Sequence, residues 1–274
     1  MFKIYDLNMK EIPFPEGVMP LEIFVGSVGK ERTVDTVDGR PGVVDYGFNY
    51  TDRPVSLFLR IKAADAADFR LLRNEVFAIF DVGSAFYVAE ADVPSRVLKV
   101  VVDESYIPDR LTEEYADFDI NCRTLDSVFW ESKYTTLELH DSGYSATAEK
   151  YGLVDNIDDE KVKYRFTSNN FTVYNAGNVT VEPESMELLI QISNVSTTGT
   201  LSLKNITTGE EFRLSKNLSG RNISLNGMNV RDGTVNAFRD SNRRFISLSP
   251  GDNQFEVTGA TFSQVWISFK YYYK

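Results

Sequence analysis

Chemistry in this chain of 274 residues has few places to start, because it holds one histidine and one cysteine. His140 stands beside Asp141 and Ser142, the three residue types of a nucleophilic relay. Adjacent residues do not make one, since a Ser-His-Asp relay is assembled in space from separate segments. The strained GxSxG elbow is absent as well, because Gly143-Tyr-Ser145-Ala-Thr147 lacks the second glycine. His140 therefore reads as a solvated histidine in a loop between two domains. Cys122 has no partner for an internal disulfide, and no CxxC pair or histidine-rich stretch offers a zinc site. It shares one face of an expected strand with Phe118 and Ile120, which makes it a small core residue rather than a nucleophile. No P-loop and no GxGxxG occurs, so nucleotide chemistry has no foothold.

The remaining candidates are carboxylates and aromatics. Asp155-Asn-Ile-Asp158-Asp159-Glu160 gathers acidic groups that calcium would accept, but it lacks the glycine and distal glutamate of an EF-hand loop, and reads as a polar turn ahead of a strand. With 40 acidic residues, some pair will lie at a glycosidase-like separation by abundance alone, so that signal discriminates nothing. Asn-x-Ser/Thr triplets begin at Asn170, Asn178, Asn194, Asn205, Asn217 and Asn222. Strands and turns rich in Asn, Ser and Thr produce such triplets by chance. Trp266 and the run Tyr271-Tyr272-Tyr273 are suited to stack on a pyranose ring, and equally suited to fill a sandwich or an edge strand. The residues thus nominate no catalytic, cofactor-binding or metal-binding set, and no enzyme is expected.

The elements that would carry these residues are mostly strands. Val55, Leu57, Leu59 and Ile61 recur at period two and predict a strand facing a core. From Asp65 the period changes: Phe69, Leu72, Val76 and Ile79 fall at helical spacing, with Asp65 placed to cap the first turn. Strands are predicted at Phe86–Ala91, Arg96–Val102 and Tyr115–Cys122. Upstream, Glu22–Asn49 is broken by Gly26, Gly29, Gly39, Gly42 and Gly47 and reads as a long hairpin leaving the core. A two-stranded ribbon is marginal alone, so this arm predicts a partner subunit.

After Trp130 the texture shifts. A polar stretch runs from Glu138 to Gly143, and the boundary is expected within Glu131–Leu137, giving domains of residues 1–134 and 135–274. The second shows no helical period. Short strands are predicted at Lys163–Phe166, Phe171–Tyr174, Met186–Ile192, Thr200–Lys204, Phe212–Leu214, Phe255–Thr258 and Val265–Tyr272, which together predict a β-sandwich or related all-β fold.

Charge divides along the same line. Residues 1–133 hold 15 Lys and Arg against 24 Asp and Glu, and the remainder 14 against 16, within a net charge of −11. A polyanion binder gains affinity by releasing counterions onto cationic side chains, so stable nucleic-acid binding is not expected. Met1–Pro13 carries Lys3, Asp6, Lys10 and Glu11 without a continuous apolar stretch, so no signal peptide is read there and synthesis in a cytoplasm is expected. No run approaches the roughly 20 apolar residues of a membrane span.

These features, in this order, resemble the distal tail proteins of long-tailed phages that infect Gram-positive bacteria. The first half carries the hairpin ending in Val37-Asp-Gly-Arg-Pro-Gly-Val43, then a strand, one helix, and strands ending near Cys122. The second carries Tyr174-Asn-Ala-Gly-Asn-Val179 followed by Glu182-Pro183, then Leu203-Lys-Asn-Ile-Thr-Thr-Gly209, then Leu248-Ser-Pro-Gly-Asp-Asn253 ahead of Val257-Thr-Gly259. The resemblance implies a mostly β fold: an N-terminal ring-forming domain with one helix and a protruding hairpin, followed by a galectin-like β-sandwich. It implies a homo-hexameric ring in the virion, at the tail tip. The tail tube protein would sit on one side and a tail-associated spike or lysin protein on the other. Receptor-binding proteins would attach at the periphery. DNA would only pass through the channel, and the acidic first half would keep it from sticking. No room is left for an inserted carbohydrate-binding module. The competing readings are a free-standing lectin-like protein recognising cell-wall saccharides, and a two-carboxylate glycoside hydrolase.

Overall fold

The computed structural model describes residues 1–81, 83–143, 155 and 157–274. They form two compact units, Met1–Trp130 and Glu131–Tyr273.

The first unit is an antiparallel sheet with one helix. Its strands are β1 (Phe2–Tyr5), β2 (Val18–Val25), β3 (Gly29–Asp35), β4 (Val44–Thr51), β5 (Pro54–Lys62), β6 (Ala85–Glu90), β7 (Arg96–Val102), β8 (Asp109–Arg110) and β9 (Tyr115–Thr124), with α1 (Ala66–Ile79) between β5 and β6. Six of them hydrogen-bond in the order β1-β6-β7-β9-β5-β2, and β8 lies along β9. Register follows the apolar alternation: Val55, Leu57, Leu59 and Ile61 stand opposite Cys122, Ile120, Phe118 and Ala116. Opposite residues share a face, so all eight are buried together. The predicted helix forms as expected, with Phe69, Leu72 and Val76 on its buried side and Asp65 accepting from the Ala67 and Asp68 amides. Those two bonds hold the Asp65 carboxyl below its ordinary range.

The hairpin is real but begins later than its glycines suggested. Strand β2 pairs with β5 and belongs to the main sheet, where Ile23 turns inward opposite Leu57. The free ribbon is β3 with β4 alone, a two-stranded sheet.

A short strand β10 (Trp130–Ser132) stands at the junction of the units. In the second unit, α2 (Thr136–Ser142) precedes β11 (Arg165–Phe166), β12 (Asn170–Asn175), β13 (Leu188–Thr197), β14 (Thr200–Asn205), β15 (Glu211–Ser215), β16 (Leu218–Asn226), β17 (Asn229–Asp232), β18 (Val235–Asn236), β19 (Gly251–Thr258), β20 (Gln264–Phe269) and β21 (Tyr272–Tyr273). Two antiparallel sheets result, β11-β20-β13-β16-β17-β18 and β12-β19-β14-β15. Each turns alternate side chains inward: Leu188, Ile190 and Ile192 from β13, Leu201 and Leu203 from β14, Phe255 and Val257 from β19. The polar stretch read as a loop is the helix α2. Thr135 caps it, donating to and accepting from Glu138 in a reciprocal capping box. The expected strand Val265–Tyr272 is two strands, interrupted at Lys270-Tyr271.

Candidate interaction surfaces

The side chains that looked chemically capable are each tied to separate structural partners. His140 lies in the last turn of α2, with Nδ1 3.3 Å from the Val162 carbonyl oxygen. Its neighbours point elsewhere: Asp141 receives both Arg165 nitrogens at 3.1 and 2.9 Å, and Ser142 donates to the Glu138 carbonyl at 2.6 Å. The Arg165 pairing holds the Asp141 carboxyl below its ordinary range. Ser145 and Thr147, from the incomplete elbow motif, lie outside the described residues. Cys122 is buried, and burial pushes its thiol up to about 12. A thiol that resists ionisation at neutral pH is a poor nucleophile and metal ligand.

The acidic run also disperses. Asp155 is buried, its carbonyl accepting from the Tyr273 hydroxyl at 3.2 Å. Asp158 instead caps a 3-10 turn at Asp159–Lys161. Among the described residues, no group of three potential ligands is placed to hold a metal ion. Asn205, one of the six triplet asparagines, is fully buried and spends its amide on the Ser247 carbonyl at 2.9 Å.

The aromatic run does not form a sugar platform. Tyr271, Tyr272 and Tyr273 are buried, and each hydroxyl has an internal partner: Tyr164, the Glu187 amide and the Asp155 carbonyl respectively. Trp266 is half-buried within β20, in register with Arg165 and Gln191 on the flanking strands. A hollow on this unit does expose aromatics, with Phe166 stacked on Phe171 at 4.3 Å, but its Lys161 and Asp252 are already paired with each other.

What the first unit exposes is of a different kind. Every residue from 30 to 43 is exposed, so the free part of β3 and the turn after it have no core on either face. Across the ribbon Lys30 stands opposite Tyr50, and Arg32 opposite Phe48. The Lys30 ammonium lies 4.3 Å from the Phe48 ring centre, and Phe48 meets Tyr50 edge to face at 5.4 Å. One ribbon face is therefore a ladder of two cations and two aromatic rings. Val34, Val37, Val43 and Tyr46 add apolar surface toward its tip. On the main sheet, the face turned away from the core carries rows set by the register: Glu22, Phe58 and Asp119 in one, Phe24, Ser56 and Asn121 in the next. Phe24 is 59% exposed. In a third row Arg60 grips Asp117 through two bonds of 2.6 Å, whereas among the described residues Glu22 and Asp119 form no ion pair. Sequence reading found the arm through its glycines. It missed the sheet face, whose residues alternate with the core residues it did find.

Comparison with known proteins matches part of the first unit to a family model and the whole chain to a known fold. Residues 14–122 match the model of the phage tail protein RIFT-related domain. No curated protein sequence matches the chain. Among solved structures, the chain is similar to the Dit (gp 19.1) protein of phage SPP1, described as a paradigm of hub adsorption apparatus in Gram-positive infecting phages. The TM-score is 0.67 at 11% identity, over 99% of each chain. It is also similar to a chain of the phage P2 baseplate in its activated conformation, with a TM-score of 0.46 at 10% identity, covering 98% of this chain and 97% of that one.

Proposed function

With residues 14–122 forming a phage tail protein RIFT-related domain and the whole chain folded as a distal tail protein, we propose that it is the hub of a siphophage tail tip. The observation that carries this reading is the end-to-end likeness to SPP1 Dit, joined to an arm that has no core of its own. In this reading residues 1–134 close a homo-hexameric ring, and residues 135–274 project outward as a galectin-like module. The two-sheet architecture of the second unit supports that assignment. The ring joins the tail tube protein on one side to the tail-associated spike or lysin protein on the other, and receptor-binding proteins attach around it. The protein acts as a structural part of the virion, made in the host cytoplasm, rather than as a catalyst. Among the described residues no helix is long and apolar enough to cross a membrane.

Charge supports the same reading. The acidic excess of the first half suits a channel through which DNA passes without being held, because a surface that repels phosphate gains nothing from counterion release. The lectin-like alternative is disfavoured by the burial of Tyr271, Tyr272 and Tyr273.

Negative-stain imaging with mass measurement of the purified full chain tests the proposal. A six-fold ring with a central hole is expected. A species that stays monomeric at high concentration, alone and with tail tube protein, would overturn it.

A further inference from the structure

We propose that the step from Asp38 to Gly39, at the tip of the β3–β4 ribbon, is a site of spontaneous covalent modification, at which the folded chain converts aspartate to isoaspartate.

The reaction needs only these two residues and water. The Gly39 amide nitrogen attacks the side-chain carboxyl carbon of Asp38 and a new C–N bond forms. The carboxyl hydroxyl leaves with the amide proton as water, and the product is a cyclic succinimide. Water then opens that ring at either carbonyl. One opening restores aspartate; the other routes the main chain through the side-chain carbon and leaves isoaspartate. No electrons are transferred, and the final mass equals the starting mass.

A folded chain permits this step when the following residue has no side chain to block approach, when its amide is free of hydrogen bonds, and when the backbone can bring the carboxyl onto it. Asp or Asn precedes Gly at three positions, Asp38-Gly39, Asn226-Gly227 and Asp232-Gly233. The fold treats them differently. The Gly233 amide donates to the Asn222 carbonyl at 2.7 Å, and the 4% exposed Asp232 carboxyl is held by Lys216 at 2.8 Å and Arg221 at 2.6 Å. The Gly227 amide donates to the Leu188 carbonyl at 2.9 Å, and Asn226 is fixed in register opposite Asn229. Both nucleophiles are therefore occupied.

The ribbon tip has neither restraint. Among the described residues the Gly39 amide has no hydrogen-bond partner, and the Asp38 carboxyl has no hydrogen bond or ion pair. Gly39 has a φ of +80°, and nothing lies within 4 Å of where its Cβ would stand. One bond closes the turn, from the Arg40 amide to the Val37 carbonyl at 3.0 Å. Every residue from 30 to 43 is exposed, so the tip opens at low free-energy cost and samples the reactive geometry. Isoaspartate adds a carbon to the main chain inside this turn, beyond the last paired residues Asp35 and Val44. The change would reshape the tip between Val37 and Val43 and leave both cores untouched.

The test keeps the purified full-length chain near neutral pH for several weeks. Isoaspartate is then located by electron-transfer fragmentation and counted by methyl transfer from S-adenosylmethionine with an isoaspartyl methyltransferase. Position 38 should accumulate at least about tenfold more isoaspartate than position 232, with no comparable deamidation of Asn226. Asp38→Ser should abolish most of the methyl acceptance while leaving the melting curve unchanged. In denaturant, where no fold protects either site, positions 38 and 232 should react within about threefold of each other. An absence of isoaspartate at position 38 in the folded chain would overturn the proposal, as would equal yields at 38 and 232. A preference for position 38 that persists undiminished in denaturant would trace the difference to sequence rather than fold, and overturn it too.

Discussion

At the scale of single residues, this protein's polar chemistry is spent on holding its own fold. Asp232 is the clearest instance: its carboxyl is 4% exposed and receives Lys216 at 2.8 Å and Arg221 at 2.6 Å. Burial alone would raise its pKa, but the two cations outweigh burial and hold it below the ordinary carboxylate range. A depressed carboxyl contributes stability that is complete above its unfolded-state pKa and is lost as pH falls through the folded value. Replacing Asp232→Asn should therefore lower stability by about 1–3 kcal/mol near pH 7. Melting curves recorded from pH 7 down to pH 3 should show the two proteins converging in acid, and a constant gap would refute the assignment. Cys122 gives a second residue-scale test. With its thiol raised to about 12, it should resist a thiol-specific reagent in the native protein and react fully in denaturant. Rapid labelling of the native fold would show the strand pairing around it to be wrong.

At the scale of elements, the sheet core and the ribbon should respond oppositely to the same kind of change. Leu59 is fully buried opposite Phe118, so Leu59→Ala should cost about 2–5 kcal/mol in chemical denaturation. Phe48→Ala removes a larger side chain, yet from a ribbon that covers no core, and should cost the free subunit less than about 0.5 kcal/mol. What was legible in the sequence follows the same distinction. The strand at Val55–Ile61 and helix α1 were readable because each buries one face, and burial writes a period into the residues. Helix α2 was overlooked because it is seven residues long, too short to display a period, although Thr135-Thr-Leu-Glu138 spells out its capping box. Thr135→Ala should lower stability by about 1 kcal/mol, measured by thermal melting. Strand β16 went unread because the exposed run from Ser219 to Asn222 breaks its alternation, and β17 and β18, at four and two residues, are too short to display a period. The hydroxyls of Tyr271 and Tyr272 illustrate a different limit. No local pattern reveals that their partners come from Tyr164 and Glu187, far away in the chain.

At the scale of the whole molecule, charge and fold bear on one another. The proposed hub must pass a polyanion without retaining it, and an assembled ring should not shift duplex DNA on a native gel even at about 50 mM salt, where phosphate contacts are strongest. Retention would mean that a basic surface lines the channel. The second unit carries its own local charge pattern: among the described residues Arg231, Arg239 and Arg244 form no ion pair, and Met228 is half exposed nearby in sequence. Which surfaces stay uncovered was not legible, since exposure is decided by how distant strands register, as Phe24 beside Ser56 shows.

The uncovered ribbon carries one more consequence, in the life of the unassembled chain. Segments held by few buried contacts open at low free-energy cost, and here Lys30 and Arg32 place two trypsin-type cleavage sites along such a segment. A subunit waiting for its neighbours would be cut there first, whereas one whose arm is seated would be spared. The arm would then act as a timer, marking copies that fail to find a place for removal by the proteases of the cell that made them.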